Sequence, residues 1–192
     1  MTADGTIQTL EIHGELRVVR AQPPDLERYL RLLEEVAAWL RASGLNHWNT
    51  GDYQGFTHYF GASIGRGEVH LAILGGDLVG TLRLLEQDDI VWPEIRTSDG
   101  LYVYNLAIDR AWSGRGLGLR LLEFASDRVR SMGKEYLRLD CLADNAFLQH
   151  YYENAGFCER GEVSVNYAAP VGELRLRRFE RRIAPTDQMQ SP

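Results

Sequence analysis

At 192 residues, 44% of them hydrophobic and 25% charged, the chain has the length and composition of one folded domain with a full core. A formal net charge of −6 argues against non-specific nucleic-acid binding or docking on an anionic membrane, and no apolar run is long enough to span a bilayer. Two cysteines, Cys141 and Cys158, without C-x-x-C spacing or a secretory leader, make a reduced cytoplasmic protein the expectation. Lys134 is the only lysine, so the basic residues are almost all arginine, which reads as the coding bias of a GC-rich bacterial genome.

In chain order, residues 1–6 and 184–192 read as mobile ends of a single domain spanning 1–192. Leu16, Val18 and Val19 mark a first strand. From Asp25, the residues Leu26, Tyr29, Leu30, Leu33, Val36, Ala37 and Leu40 fall on one helical face, entered through Pro23-Pro24 and left at Ser43-Gly44. A loop with His47 and Trp48 follows, and the aromatic-rich segment from Tyr53 to Ile64 predicts a short second helix. Glu68–Leu74 and Leu78–Leu85 predict two strands joined by a hairpin at Gly75-Gly76-Asp77. Gln87–Gly100 is a longer acidic loop.

Leu101–Asp109 is a further strand, running into Ser113-Gly114-Arg115-Gly116-Leu117-Gly118. Leu121, Leu122, Ala125, Val129 and Met132 then form the apolar stripe of a helix ended at Gly133. Tyr136–Cys141 is a strand, and Asp144-Asn145 opens a helix bearing Leu148, Tyr151, Tyr152 and Ala155, which Gly156-Phe157 ends. Glu162–Tyr167 and Glu173–Arg182 are two last strands. This order predicts an α/β fold, a mixed sheet with helices on its faces. A strand feeding a glycine-rich helix start is an anion site, because first-turn N–H groups lack intrahelical partners and the helix dipole favours negative charge there.

The stretch from Leu101 to Phe157 resembles the acyl-CoA-dependent N-acyltransferases of the GNAT superfamily. The resemblance rests on Gly116 and Gly118 after a strand, then Asn145, Tyr152 and Gly156-Phe157. Ser113 stands where the family's motif has Arg or Gln. The resemblance implies a mostly antiparallel mixed sheet flanked by helices on both faces, and acetyl-CoA as cosubstrate. It assigns cofactor binding to the main chain of Leu106, Ala107 and Ile108, to the loop and helix start (Ser113, Gly114, Arg115, Gly116, Leu117, Gly118 and Leu119), and to Asn145 and Tyr152. It also implies direct attack by a primary amine in a ternary complex, with Tyr152 as general acid. The acceptor is then a small-molecule or peptide amine, and the resemblance leaves room for a homodimer. In that family the first two helices and their loop cover the acceptor side, which makes Trp48, Tyr53, Phe56, Tyr59 and Phe60 candidates for the acceptor pocket, with aromatic packing in the core as the alternative for each.

An amine must lose a proton to attack, so a carboxylate or imidazole is required nearby. Glu68, His70 and Asp99 are the candidates, with Asp140 behind them because its place also suits it to orient the neighbouring loop. The five histidines never fall into ligand spacing, so no metal is implied. Three other readings compete. Gly61-Ala62-Ser63-Ile64-Gly65 fits a nucleophile elbow, but without the strand before it and helix after it that this motif needs. Gly114-x-Gly116-x-Gly118 with Asp140 resembles a dinucleotide-binding pattern, but at the wrong spacing. A GNAT-like domain could also bind an acyl-CoA without turnover.

Overall fold

A computed structural model of the chain describes residues 15–44, 53–167 and 172–184. The loop with His47 and Trp48 and both chain ends expected to be mobile fall largely or wholly outside these residues. Among the described residues there are seven strands: β1 (Arg17–Arg20), β2 (Val69–Leu74), β3 (Asp77–Leu85), β4 (Gly100–Ile108), β5 (Tyr136–Leu142), β6 (Cys158–Tyr167) and β7 (Gly172–Arg182). They form one sheet in the order β1-β2-β3-β4-β5-β7-β6. Every pairing is antiparallel except β4 with β5. This is the expected mixed, mostly antiparallel sheet. A dinucleotide fold would need a mostly parallel one.

Among the described residues four α-helices cover the two faces: α1 (Leu26–Ala42), α2 (Thr57–Arg66), α3 (Leu117–Ser131) and α4 (Ala146–Asn154). Strand β2 shows how the faces divide, because it is buried along its whole length. Val69, Leu71 and Ile73 pack with Tyr29, Leu33, Phe60 and Ile64 of α1 and α2, while Ala72 and Leu74 pack with Leu121, Leu122 and Ala125 of α3. The two-residue period of a strand sends alternate side chains to opposite layers.

Local chemistry sets the helix ends. Pro23-Pro24 forms a turn before α1 in which the Gln22 N–H donates to the Asp25 carboxylate at 2.7 Å. At the end of α3, Gly133 takes φ +65°, and the Lys134 N–H donates back to the Val129 carbonyl at 3.0 Å, a glycine-dependent helix stop. Lys134 itself is tied down, its ammonium 2.8 Å from the Ser98 carbonyl and 3.3 Å from Glu86.

The acidic loop is not merely a connector. Trp92 is 1% exposed and packs with Val91, Tyr102, Val165 and Leu176 in a third core on the α1/α2 side of the sheet. Beneath it, Arg138 of β5 is buried and donates to Asp99 and Glu180, both at 2.7 Å. No helix among the described residues is long and apolar enough to cross a membrane.

Candidate active site

Strands β4 and β5 hydrogen-bond side by side only at their beginnings, where Gly100, Leu101 and Tyr102 face Tyr136, Leu137 and Arg138. Beyond that they part. On its other edge β4 keeps its pairing with β3, but the register slips between Thr81 and Arg83 of β3, opposite Ala107 and Tyr104, so β4 carries an extra residue there. Asn105 within this bulge has φ +49°, a left-handed conformation that asparagine tolerates better than most residues. A bulge bends its strand, and here it turns the second half of β4 away from β5. The main-chain groups of Leu106, Ala107 and Ile108 therefore border a gap inside the sheet.

A cavity of about 810 Å³ fills this gap. At one end lies the glycine loop. The Asp109 carboxylate accepts from the Ala111 N–H at 2.8 Å and fixes a single turn, after which Gly114 and Gly116 take φ +75° and +72°. Gly116 is the N-cap of α3 and offers no side chain, so the N–H groups of Leu117, Gly118 and Leu119 stand open at the positive end of the helix dipole. The approach at Gly118 is tight. A Cβ there would lie 2.5 Å from the Tyr151 hydroxyl.

Helix α4 supplies the opposite wall. The Asn145 side chain caps it by accepting from the Leu148 N–H at 3.0 Å, and Asn145 also lines the cavity. Tyr152 is 7% exposed, its ring packed against Phe157 and Phe179, and it too faces the cavity. Burial pushes the Tyr152 phenol far above its ordinary value, and a negative charge on nearby Asp140 acts in the same direction, so it keeps its proton at neutral pH. Tyr151, about 100° around the helix, lines the same cavity, because the space wraps around the start of α4.

The pattern of the acetyltransferase (GNAT) family matches residues 31–157. The chain belongs to this family. It is 33% identical over 148 residues, 74% of this chain and 82% of the other, to the uncharacterized N-acetyltransferase YesJ of Bacillus subtilis (strain 168). Among solved structures, a GNAT-family acetyltransferase from Listeria monocytogenes superposes with a TM-score of 0.70 at 25% identity, covering 87% of this chain and 94% of that one. The putative acetyltransferase yncA from Salmonella typhimurium, determined with its cofactor acetyl-CoA, gives 0.64 at 16% identity, covering 93% and 98%. The protein is thus an acetyltransferase.

Of the cofactor residues expected from sequence, Leu106, Ala107, Ile108, Ser113, Gly114, Gly116, Leu117, Gly118, Leu119, Asn145 and Tyr152 all line the cavity of this acetyltransferase. Arg115 does not; its guanidinium lies over the Trp112 ring, 4.6 Å from the centroid. A different arginine does. Arg110 lines the mouth and sits 3.6 Å above the ring of Trp39, which also borders the cavity.

The expected bases fare differently from the cofactor residues. Glu68 and His70 are not among the cavity-lining residues. His70 lies on the α3 side of β2, against Phe124, and burial lowers its pKa to about 4, leaving a neutral ring whose Nδ1 is 3.1 Å from the Glu68 carbonyl. The Glu68 carboxylate is held by Arg66 at 2.5 Å. Asp99 is the partner of Arg138; burial alone would raise its pKa, but hydrogen bonds from Arg138 and Thr97 hold it below the ordinary value. The carboxyl that does reach the cavity is Asp140, on the stretch of β5 that has parted from β4. Burial, and then the charge of Asp88, lift its pKa to about 7.

The aromatic residues expected at the acceptor side need the same correction. Trp48 lies outside the described residues, and Tyr53, Phe56, Tyr59 and Phe60 do not line the cavity; Tyr53 and Phe60 are core. The lining rings on that side are Tyr104 and Tyr167, which reach it from β4 and from the end of β6. Ser63 is fully buried within α2, so no nucleophile elbow exists there. Burial, and then Asp140, raise the Cys141 thiol to about 12, which keeps it protonated in the core.

Proposed function

We propose that this acetyltransferase moves the acetyl group of acetyl-CoA directly to a primary amine within a ternary complex. The observation that carries the reading is the single cavity that joins the open N–H groups of Leu117–Leu119 to the Tyr152 phenol by way of the free edge of β4. The residues suit the cosubstrate. A diphosphate needs backbone donors and no intervening Cβ, and Gly116 leaves that space. A pantetheine arm needs an exposed strand edge of amide groups, and Leu106–Ile108 offer one.

Acetyl-CoA supplies the acyl group already activated as a thioester. The chain's part is to hold it, exclude water and manage two protons. As the amine nitrogen bonds to the carbonyl carbon and the C–S bond breaks, Tyr152 donates its proton to the departing sulfur. The buried phenol is protonated at neutral pH, the state from which an acid must start. Arg110, stacked on Trp39 at the mouth, supplies positive charge near the glycine loop, where Ser113 replaces the family's usual Arg or Gln. A non-catalytic acyl-CoA-binding module would need the same loop but no proton donor beside the thioester. Calorimetric titration with acetyl-CoA, followed by amine-dependent release of free thiol, tests the proposal. Binding with no thiol release from any primary amine would overturn transfer and leave a binding module.

A further inference from the structure

The face of the sheet that carries Asp140 also carries three arginines, and each guanidinium is engaged elsewhere, although the Nε of Arg83 and of Arg178 has no hydrogen-bond acceptor. Arg138 donates to Asp99 and Glu180. Arg178, the register partner of Asp140 on β7, donates to Glu94 at 2.6 Å and lies 5.0 Å from the centre of the Trp92 ring. Arg83 donates to the Tyr59 hydroxyl at 2.8 Å, within 5.7 Å of the ring centres of Tyr59, Phe60 and Tyr104. None of the three lines the cavity.

Asp140 is thereby left, among the described residues, with neither an ion pair nor a hydrogen-bond donor for its side chain. Its neighbour Asp88 is in the opposite condition, accepting from the Ile90 and Val91 N–H groups and from the Tyr104 hydroxyl at 2.6 Å. A carboxylate kept out of bulk water without a partner is costly. Here it faces a cavity, so a ligand can provide the partner.

We propose that Asp140 is the anchor and proton acceptor for the acetyl acceptor, and that this acceptor is a primary ammonium on a slender apolar or aromatic body with no carboxylate beside the amine. The inference rests on the acetyl-transfer reading and names its substrate class. The ammonium meets Asp140 between the rings of Tyr104 and Tyr167, which attract a cation. The apolar body lies on Leu174 and Leu176 of β7. An α-carboxylate would instead enter the field of Asp140 and Asp88, where Arg83, Arg138 and Arg178 do not line the cavity and the lining arginine, Arg110, is stacked on Trp39 beside the glycine loop. Burial and Asp88 raise the pKa of Asp140 to about 7, which suits it to take a proton from an ammonium near neutrality.

The protons balance as follows. One passes from the ammonium to the Asp140 carboxylate and later to solvent. The neutral amine attacks the thioester carbon, the C–N bond forms as the C–S bond breaks, and Tyr152 protonates the leaving sulfur. The second nitrogen proton restores the phenol, so N-acetylamine, free thiol and one released proton result.

The test compares 2-phenylethylamine with phenylalanine, which share a body and differ by the carboxylate, using thiol release by the full chain with acetyl-CoA. The amine should be preferred in kcat/KM by at least roughly tenfold. Asp140→Asn should lower kcat/KM for the amine roughly 10²-fold while the Kd for acetyl-CoA stays within about twofold. Asp140→Glu, which keeps the charge but displaces it, should lose less. Equal use or preference of phenylalanine, turnover of neither compound, or undiminished amine turnover by Asp140→Asn would each overturn the assignment. The wild-type comparison stands even if a variant fails to fold. Failure to bind acetyl-CoA at all would instead overturn the transfer reading beneath it.

Discussion

Replacing Asp140 by asparagine should make the protein more stable at neutral and higher pH, by a margin that depends on pH. The folded chain lifts the Asp140 pKa from 3.8 to about 7, first through burial and then through Asp88. Below about pH 4 the carboxyl is protonated in both the folded and the unfolded state, so it costs nothing. Between about pH 4 and about pH 7 the unfolded chain releases the proton while the folded chain keeps it, and stability falls as pH rises. Above about pH 7 the penalty is complete. Three pKa units correspond to at most about 4 kcal/mol, and access from the cavity reduces this. Asparagine has no charge to bury, so its advantage over the parent should widen by about 2 kcal/mol between about pH 5 and about pH 8. Urea denaturation of both proteins across that range measures the difference directly, and other titrating groups cancel in the subtraction. Parallel stability curves, or a variant less stable than the parent at about pH 8, would refute the picture of Asp140 as an uncompensated carboxyl.

Tyr152→Phe should lower kcat by roughly 10²-fold with stability and acetyl-CoA affinity little changed, whereas Tyr151→Phe, whose lost hydroxyl sits over Gly118, should act on affinity more than on kcat; steady-state kinetics and calorimetry separate the two. Gly116→Asp should weaken CoA binding at least about tenfold by calorimetry, because it sets a negative charge at the open helix start. The φ of +72° there is one that aspartate adopts more readily than most residues, so the variant should still fold. Arg138→Met should destabilise the fold by about 3 kcal/mol in denaturant titration, because Asp99 would keep only its hydrogen bond from Thr97 and Glu180 only its longer ion pair with Arg160 at 3.6 Å.

Much of this architecture is written in the sequence. Strand parity, helical stripes and turn glycines place every described strand and helix within a few residues, and Gly116, Gly118, Asn145 and Gly156-Phe157 mark the cavity walls. What escaped has physical causes. β2 is apolar on both faces, so alternation could not say which layer His70 enters. The gap in the sheet depends on one extra residue at Asn105, a bulge with no glycine to announce it. Asp140 stands out only once Arg83, Arg138 and Arg178 are seen to be engaged elsewhere, and those contacts span 24 to 87 residues of sequence. The burial of Trp92 within the acidic loop is not visible in the sequence because the surface it covers is assembled from β4, β6 and β7.

The tethered side chain of Lys134 bears on how such a protein survives its own chemistry. Thioesters acylate stray lysine amines without any catalyst, and a chain that concentrates them is the nearest target. Here the lysine side chains offer one such amine, 8% exposed and engaged by the Ser98 carbonyl and Glu86, while the surface carries its positive charge on guanidinium groups that do not act as nucleophiles near neutral pH. With that lysine held, the described surface presents no free lysine amine to a thioester, and the exposed thiol of Cys158 is the nucleophile that stays open to exchange.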